Sequence, residues 1–113
     1  MVALLGQEER GPGSPMKLVW SRRAVAHLAA LRRYIERDNP SAARDIAEQI
    51  LRAVERLQTQ PHMGRAGRVL GTRELVVSGT PFLIPYRVRG ERLELIAVFH
   101  GRQNWGASGA YPR

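Results

Sequence analysis

The sequence contains no cysteine, a single lysine and no long apolar run. The absence of cysteine excludes disulfide frameworks and thiolate zinc sites, and it fits a reducing compartment. The longest apolar runs are about five residues, whereas a membrane-spanning helix needs ~20. The first five residues carry no basic side chain and are soon followed by Glu8 and Glu9, so they do not resemble an export signal. These absences predict a cytoplasmic protein without a membrane segment.

Arginine supplies nearly all of a large positive charge. The 113 residues include 18 basic and 10 acidic side chains, a net charge of +8, and Lys17 is the only lysine. Without the first fifteen residues the balance is 17 basic against 8 acidic side chains, or +9. A small domain this basic attracts nucleic acid, an acidic protein partner or an anionic membrane surface. Arginine bias also arises in GC-rich genomes, so the charge alone identifies no partner.

The length is that of one domain with a short segment on either side. Residues 1–15 end in Gly11-Pro12-Gly13-Ser14-Pro15 and show no periodic apolar pattern. They are interpreted as a disordered leader or an alternative start upstream of Met16. Residues 16–105 form the predicted domain. Residues 106–113, rich in glycine and alanine, are predicted to be a flexible tail.

Two amphipathic helices are predicted in the first half of the domain, after a short strand over 17–20. Ser21 is a suitable N-cap, and apolar residues at every third or fourth position predict helices over 22–38 and 40–59. Asn39 ends the first helix because the residue before a proline avoids helical angles, and Pro40 suits the first turn of the second. Each helix has one apolar stripe, so a sheet must cover the pair.

Three strand-like segments, over 72–78, 82–89 and 92–100, supply that sheet. Alternation places Tyr86 on one face of the middle strand and Arg87 on the other, and Pro85 predicts a bulge or an edge position. One face of the last strand is expected to carry Leu93, Leu95, Ala97 and Phe99. The predicted fold class is α+β: an N-terminal strand and a helical hairpin packed on a small, mainly antiparallel sheet.

No strong catalytic or metal-binding motif is present, and the three histidines are far apart in sequence. No metal or cofactor is therefore predicted. Arginines of the loop and strand segments have guanidinium groups suited to phosphates or carboxylates; they are Arg65, Arg68, Arg73, Arg87, Arg89 and Arg102. Arg65 and Arg73 have an alternative, structural role, in which they pair with Glu74 or with backbone carbonyls. His100 and Arg102, at the open end of a buried strand, are expected to be functional.

The order of elements and four short motifs resemble the ParE branch of the ParE/RelE toxin superfamily. The resemblance covers Met16 to Trp105. The motifs are Pro61-x-x-Gly64-Arg65, Thr72-Arg73-Glu74-Leu75-Val76-Val77, Ile84-Pro85-Tyr86-Arg87-Val88 and Val98-Phe99-His100-Gly101-Arg102-Gln103-Asn104-Trp105. The resemblance implies a toxin that a ParD-like antitoxin wraps and neutralises. The residues predicted to bind the target or the antitoxin are Arg65, Arg73, Arg87, His100, Arg102 and Gln103.

The resemblance leaves two modes of action open. ParE-like members are understood to bind DNA gyrase, which requires a complementary surface and no catalytic pair. RelE-like members cleave messenger RNA on the ribosome, which requires an acid, a base and cations that stabilise the phosphorane. His100 could act as acid or base with Arg65, Arg73 and Arg102 as stabilisers, but a second proton-transfer group is not evident. Gyrase inhibition is therefore favoured over the endoribonuclease; a nucleic-acid-binding module without a toxin role is the third interpretation.

Overall fold

The computed structural model describes residues 15–101. The predicted tail, the predicted leader apart from Pro15, and the candidate residues Arg102 and Gln103 lie outside this range. The described elements, in chain order, are β1 (Lys17–Trp20), α1 (Arg22–Glu36), α2 (Pro40–Thr59), β2 (Arg65–Ala66), β3 (Arg73–Val76), β4 (Phe82–Arg89), β5 (Arg92–Leu95) and β6 (Phe99–His100). Two helices therefore precede most of the sheet, as predicted.

The helix boundaries follow from local capping. The side chain of Ser21 accepts a hydrogen bond of 3.0 Å from the Ala24 N–H, which confirms Ser21 as the N-cap of α1. Asn39 accepts a hydrogen bond of 3.0 Å from the Ala42 N–H, and Pro40 occupies the first turn of α2. Helix α2 has the predicted bounds, whereas α1 ends at Glu36, two residues before the predicted end.

The strands form one mixed sheet in the order β1-β5-β4-β3-β2, with β6 pairing to the start of β4. The pairing is antiparallel except between β1 and β5, which are parallel. Apolar side chains on one face of the sheet pack against both helices; they include Leu75, Ile84, Tyr86, Leu93 and Leu95 from the strands and Ile50, Val54 and Leu57 from α2. The opposite side of the sheet is called the outer face below.

The predicted strand over 92–100 is in fact two strands, which corrects that prediction. Tyr86 pairs with Leu95 and Leu83 pairs with Phe99, so the three residues 96–98 lie opposite only two residues of β4. The extra residue is a β-bulge opposite Pro85, and the expectation that this proline disturbs the ladder is confirmed.

The bulge also reverses the alternation of side chains. Leu93 and Leu95 belong to the core beneath the helices, whereas Ala97 and Phe99 pack with Leu83 in a second cluster. The prediction that these four residues of the last strand share one face is therefore wrong. A one-residue shift of register moves every following side chain to the other face of a sheet, and the sequence did not reveal where the extra residue falls.

Beside residues 96–98, the backbone bonds to the side chains of Ser21, the N-cap of α1, and of His27 within α1. The Ser21 hydroxyl donates a hydrogen bond of 2.8 Å to the Ile96 carbonyl, and the Val98 N–H donates one of 3.2 Å to Nδ1 of His27. Burial lowers the pKa of His27, and the nearby charge of Arg23 acts in the same direction. The neutral imidazole that results has a ring nitrogen able to accept this bond.

Neither described helix is long and apolar enough to cross a membrane. Within residues 15–101, no group of three acidic or histidine side chains is arranged to hold a metal ion.

Candidate functional site

The candidate residues fall into three places in the described part of the chain. Arg65 and Arg73 lie on the paired strands β2 and β3, Arg87 lies on the outer face of β4, and His100 lies on β6. Arg102 and Gln103 lie outside the described residues. The geometry of each place indicates what its side chains can do.

Glu74 and two arginines form the first cluster, the Glu74 cluster (Arg65, Arg68 and Glu74). The side chain of Glu74 is only 1% exposed, and its Oε1 accepts hydrogen bonds of 3.3 and 3.2 Å from Nε and Nη2 of Arg65. Its Oε2 accepts the Arg68 N–H at 3.1 Å and lies 3.5 Å from Arg68 Nε. Arg65 lies opposite Glu74 because β2, in a segment predicted to be a loop, pairs with β3. The buried carboxylate is thus held by both neighbours.

The loop after α2 is fixed by Arg73 and Tyr86. Nη1 of Arg73 donates to the carbonyls of Gly64, at 2.8 Å, and His62, at 3.2 Å. The Tyr86 hydroxyl donates to the Pro61 carbonyl at 2.8 Å and accepts the Gly64 N–H at 2.9 Å. Burial raises the pKa of Tyr86, so the hydroxyl keeps its proton for this donor role. A Cβ at Gly64 would lie 2.7 Å from the Tyr86 hydroxyl, so the loop requires glycine there.

Arg65 and Arg73 therefore make the structural contacts that the sequence left as an alternative. The side chain of Arg65 is nevertheless 57% exposed, so part of its guanidinium faces solvent while the rest holds Glu74. A structural contact of this kind orients an arginine without removing it from a binding surface.

The second cluster, the Glu94 cluster, consists of Glu94, Arg87, Arg89 and Arg92. Glu94 lies opposite Arg87 in the β4–β5 ladder, with 2.9 Å between Arg87 Nε and Glu94 Oε1. Arg89 Nε lies 3.7 Å from Oε1 and Arg92 Nη2 lies 3.6 Å from Oε2. The hydrogen bond from Arg87, assisted by the three positive charges, lowers the pKa of Glu94 although partial burial opposes it. The carboxylate is thus ionised at neutral pH.

Sequence reasoning identified Arg87 but missed Glu94 and Arg92 as its neighbours. The signal was available, because the tight turn at Gly90 and Glu91 sets Arg89 opposite Arg92 and Arg87 opposite Glu94. Pairing the residues on either side of that turn in the sequence would have predicted that these four side chains lie together.

His100 lies apart from the other candidates. It pairs with Phe82 at the start of β4, whereas Arg73 pairs with Tyr86 on the other side of that strand. Four residues along β4 and two strand spacings across it put the Cα atoms of His100 and Arg73 roughly 16 Å apart. Arg65 lies opposite Glu74 on the outer face of the sheet, whereas Arg73 and His100 lie on the other face. The described residues do not bring His100, Arg65 and Arg73 into one site.

Two apolar grooves adjoin α1. His100 borders a groove of about 470 Å³, together with Leu31, Tyr34, Phe82 and Val98. The ring of His100 meets the ring of Phe82 edge-on, with 5.8 Å between their centroids. A second groove of about 450 Å³ lies between the two helices and β1; it is lined by Trp20, Val25, Leu28, Ala29, Arg32 and Leu51. Large apolar side chains at such grooves are typical of surfaces that bind protein segments.

Comparison with known proteins gives a consistent family signal. The family model described as the ParE toxin of a type II toxin-antitoxin system, parDE, matches residues 18–105. The protein named "Putative toxin Y4kP" of Sinorhizobium fredii is 39% identical over 92 residues, which cover 81% of this chain and 95% of that protein. Toxin RelE2 of Caulobacter vibrioides is 34% identical over 84 residues, which cover 74% of this chain and 93% of that protein.

Solved structures agree with the sequence comparison. A chain of the chromosomal ParDE TA system from P. aeruginosa superposes with a TM-score of 0.70 at 30% identity, covering 75% of this chain and 95% of that chain. A chain of the toxin-antitoxin complex RelBE2 from Mycobacterium tuberculosis has a TM-score of 0.57 at 20% identity, covering 76% and 91%. The second likeness concerns the fold alone, and both confirm the predicted arrangement of two helices on a mainly antiparallel sheet.

Proposed function

Because this chain belongs to the ParE toxin family of type II toxin-antitoxin systems, we propose that it stops growth by binding DNA gyrase. The family match spans 18–105 and so includes all the described strands and helices except the first residue of β1. A gyrase-binding toxin needs a complementary surface and no catalytic pair. The positive surface and the apolar grooves beside α1 are suited to binding another protein.

The separation of His100 from the arginines is the observation that carries this proposal. RNA cleavage requires a proton-transfer group and a phosphate-stabilising cation at the same phosphate, within hydrogen-bond reach. His100 and Arg73 are roughly 16 Å apart by strand geometry, and Arg65 lies on the other face of the sheet. In addition, Arg73 is bonded to two backbone carbonyls of the loop after α2. These positions support binding over catalysis.

One observation favours the ribonuclease alternative. The relative named Toxin RelE2 is 34% identical over most of the chain, nearly as similar as the other sequence relative. Ribosome-dependent cleavage of messenger RNA by this chain is therefore retained as the second candidate, with His100, Arg65, Arg73 and Arg102 as its catalytic candidates.

We further propose a ParD-like antitoxin as the neutralising partner. The similar structure from P. aeruginosa belongs to a ParDE toxin-antitoxin system, which supports the same kind of partner here. The groove between the helices and β1 offers an apolar surface to an amphipathic segment, and Arg32 at its border offers a cation to an acidic side chain. Target or antitoxin contacts are proposed for Arg65, Arg73, Arg87, His100, Arg102 and Gln103.

A paired assay tests the mode of action. The purified protein would be added to DNA gyrase with relaxed plasmid and, separately, to ribosomes carrying messenger RNA. We expect supercoiling to be inhibited and the messenger RNA to remain intact. The variant His100→Gln keeps a polar side chain without a titratable imidazole. Because His100 is one of six proposed contacts, this variant should weaken gyrase inhibition but not abolish it. Cleavage of the messenger RNA without inhibition of gyrase, abolished in His100→Gln, would establish the alternative.

A further inference from the structure

We propose that the outer face of the sheet at the β4–β5 turn binds the phosphodiester backbone of nucleic acid directly. The surface consists of Lys17, Arg23, Arg87, Arg89 and Arg92 around Glu94, and we call it the outer cationic patch. The charge and geometry of this patch do not depend on whether gyrase is the target.

Three cations lie side by side across the sheet at this place. The register pairs Lys17 of β1 with Arg92 of β5, and Arg92 with Arg89 of β4. Paired residues share a face, and neighbouring strands are about 4.8 Å apart, so the three positive charges span roughly 10 Å. Like charges directly opposite each other destabilise a sheet. The carboxylate of Glu94 offsets part of this repulsion, and an anion bound to the row would offset more of it.

Glu94 cannot satisfy the arginines that surround it. It is the only acidic partner in the next row across the sheet, where the register sets Val19, Glu94 and Arg87 side by side. A carboxylate offers about four acceptor positions, whereas three guanidinium groups carry about fifteen N–H donors. The side chains of Arg89 and Arg92 are 61% and 55% exposed. Most of these donors therefore face solvent, held in orientation by the carboxylate beneath them.

A shallow cavity extends the patch toward the start of α1. Its volume is about 380 Å³, and Arg23 and Arg87 lie on its wall together with Val19, Ser21 and Glu94. Arg23 therefore adds a fifth cation. The acidic residues at this place are Glu94 and, in the β4–β5 turn, Glu91, so positive charge remains in excess. A phosphate group at this cavity would lie within reach of arginines from both a helix and the sheet.

Apart from the partly buried Val19 and Ile96 that line the cavity, this surface presents no large apolar side chain to solvent, which favours phosphate over an acidic protein segment. The exposed large apolar residues of the described chain are Val25, Tyr34, Leu51, Met63, Leu70 and Val76. All of them lie on the helices, on β3 or in the loops beside it, and none is on β1, β4 or β5. Protein interfaces depend on apolar and aromatic anchors, whereas contacts to a nucleic-acid backbone are dominated by charge.

Fluorescence anisotropy with labelled nucleic acid tests the patch without gyrase present. The probes are a DNA duplex and a single-stranded RNA, each of about 20 nucleotides per strand, so that the two sources of phosphodiester are distinguished. With about four phosphate contacts, we expect affinity for at least one probe to fall roughly 100-fold between about 50 and 200 mM salt.

The double variant Arg89→Gln/Arg92→Gln should weaken binding about tenfold or more and lower the salt slope by about two. The matched control is Arg44→Gln/Arg52→Gln on exposed positions of α2, which removes the same charge and should change affinity less than about threefold. Both arginines of the patch are exposed, so the first variant should fold, and thermal unfolding would verify this.

Three outcomes would overturn the proposal. The first is that the wild type binds neither probe. The second is that the two double variants lose affinity equally, which would reduce the effect to net charge. The third is that the patch variant loses binding to polyglutamate while its nucleic-acid binding is unaffected. Gyrase is absent from this assay. A negative result would therefore refute nucleic-acid binding by the patch without bearing on the proposed inhibition of gyrase.

Discussion

The Glu74 cluster and the Glu94 cluster have similar composition but different environments. Each has one glutamate among arginines on the outer face of the same sheet. Glu74 is almost fully buried and also accepts a backbone N–H, whereas Glu94 is 18% exposed and is outnumbered by three arginines. The burial of the carboxylate therefore decides what the surrounding arginines do. Around Glu74 they stabilise the fold, and around Glu94 they form a surface with excess positive charge.

The physical reason is the difference in solvation. A buried carboxylate that loses its partners is an uncompensated charge in a medium of low dielectric constant. Ion pairs exposed to solvent are screened by water and salt, and they contribute little to stability. The same residue types therefore contribute strongly to folding in one cluster and weakly in the other.

The largest effect is expected for Glu74→Gln. The change removes the negative charge that holds Arg65 and Arg68. It also replaces one of the two acceptor oxygens of Glu74 with an amide N–H₂ group, which cannot accept a hydrogen bond. We expect the free energy of unfolding to fall by about 2–4 kcal/mol. Urea denaturation at neutral pH measures this directly. The matched change Glu94→Gln should lower it by less than about 1 kcal/mol, and equal losses at the two sites would refute the distinction between the clusters.

A smaller effect is expected for Tyr86→Phe, which acts on the loop beside the Glu74 cluster. Without the hydroxyl, the Gly64 N–H loses its acceptor and the Pro61 carbonyl loses its donor. The free energy of unfolding should fall by about 1–3 kcal/mol because the Gly64 N–H is left unsatisfied. Tyr34→Phe on the exposed face of α1 is the control and should change it by less than about 0.5 kcal/mol. If Tyr86→Phe leaves the free energy of unfolding unchanged, the loop after α2 must be held by other contacts.

The smallest effect is the pH dependence contributed by Glu94. Its pKa in the folded protein lies below the usual 4.5, so the unfolded chain takes up a proton first as the pH falls. The stabilising contribution of Glu94 is therefore fully present above about pH 4.5 and is lost as the pH falls through the lowered pKa. The difference in unfolding free energy between wild type and Glu94→Gln should shrink in that range. A difference that grows on acidification would contradict the sign of the pKa shift.

The helices could be predicted closely because their signals are local. Ser21, Asn39 and Pro40 set the helix starts through bonds to the next few residues, so a short stretch of sequence contains the information. The middle strand, over 82–89, was likewise bounded by turn residues on both sides. One of the four motifs that resemble the toxin superfamily, Ile84-Pro85-Tyr86-Arg87-Val88, lies on this strand.

The remaining features depend on contacts between distant parts of the chain. The bulge opposite Pro85 is compensated by Ser21 and His27, more than seventy residues earlier. Whether Arg65 is structural depends on the burial of Glu74 beneath a loop that turns back through a bond from the Gly67 N–H to the Thr72 carbonyl, at 2.8 Å. Alternation along a strand identifies a face, but it does not reveal what covers that face.

Titration of gyrase with the purified protein tests the proposed mode of action most directly. Supercoiling of plasmid would be followed at two gyrase concentrations, with ribosome-bound messenger RNA monitored in parallel. When gyrase is present above the dissociation constant of the complex, a toxin that acts by binding must match its target in number. The concentration for half-inhibition should then rise in proportion to gyrase while the messenger RNA stays intact. Cleavage of many messenger molecules by each toxin molecule, with supercoiling unchanged, would contradict binding and establish catalysis.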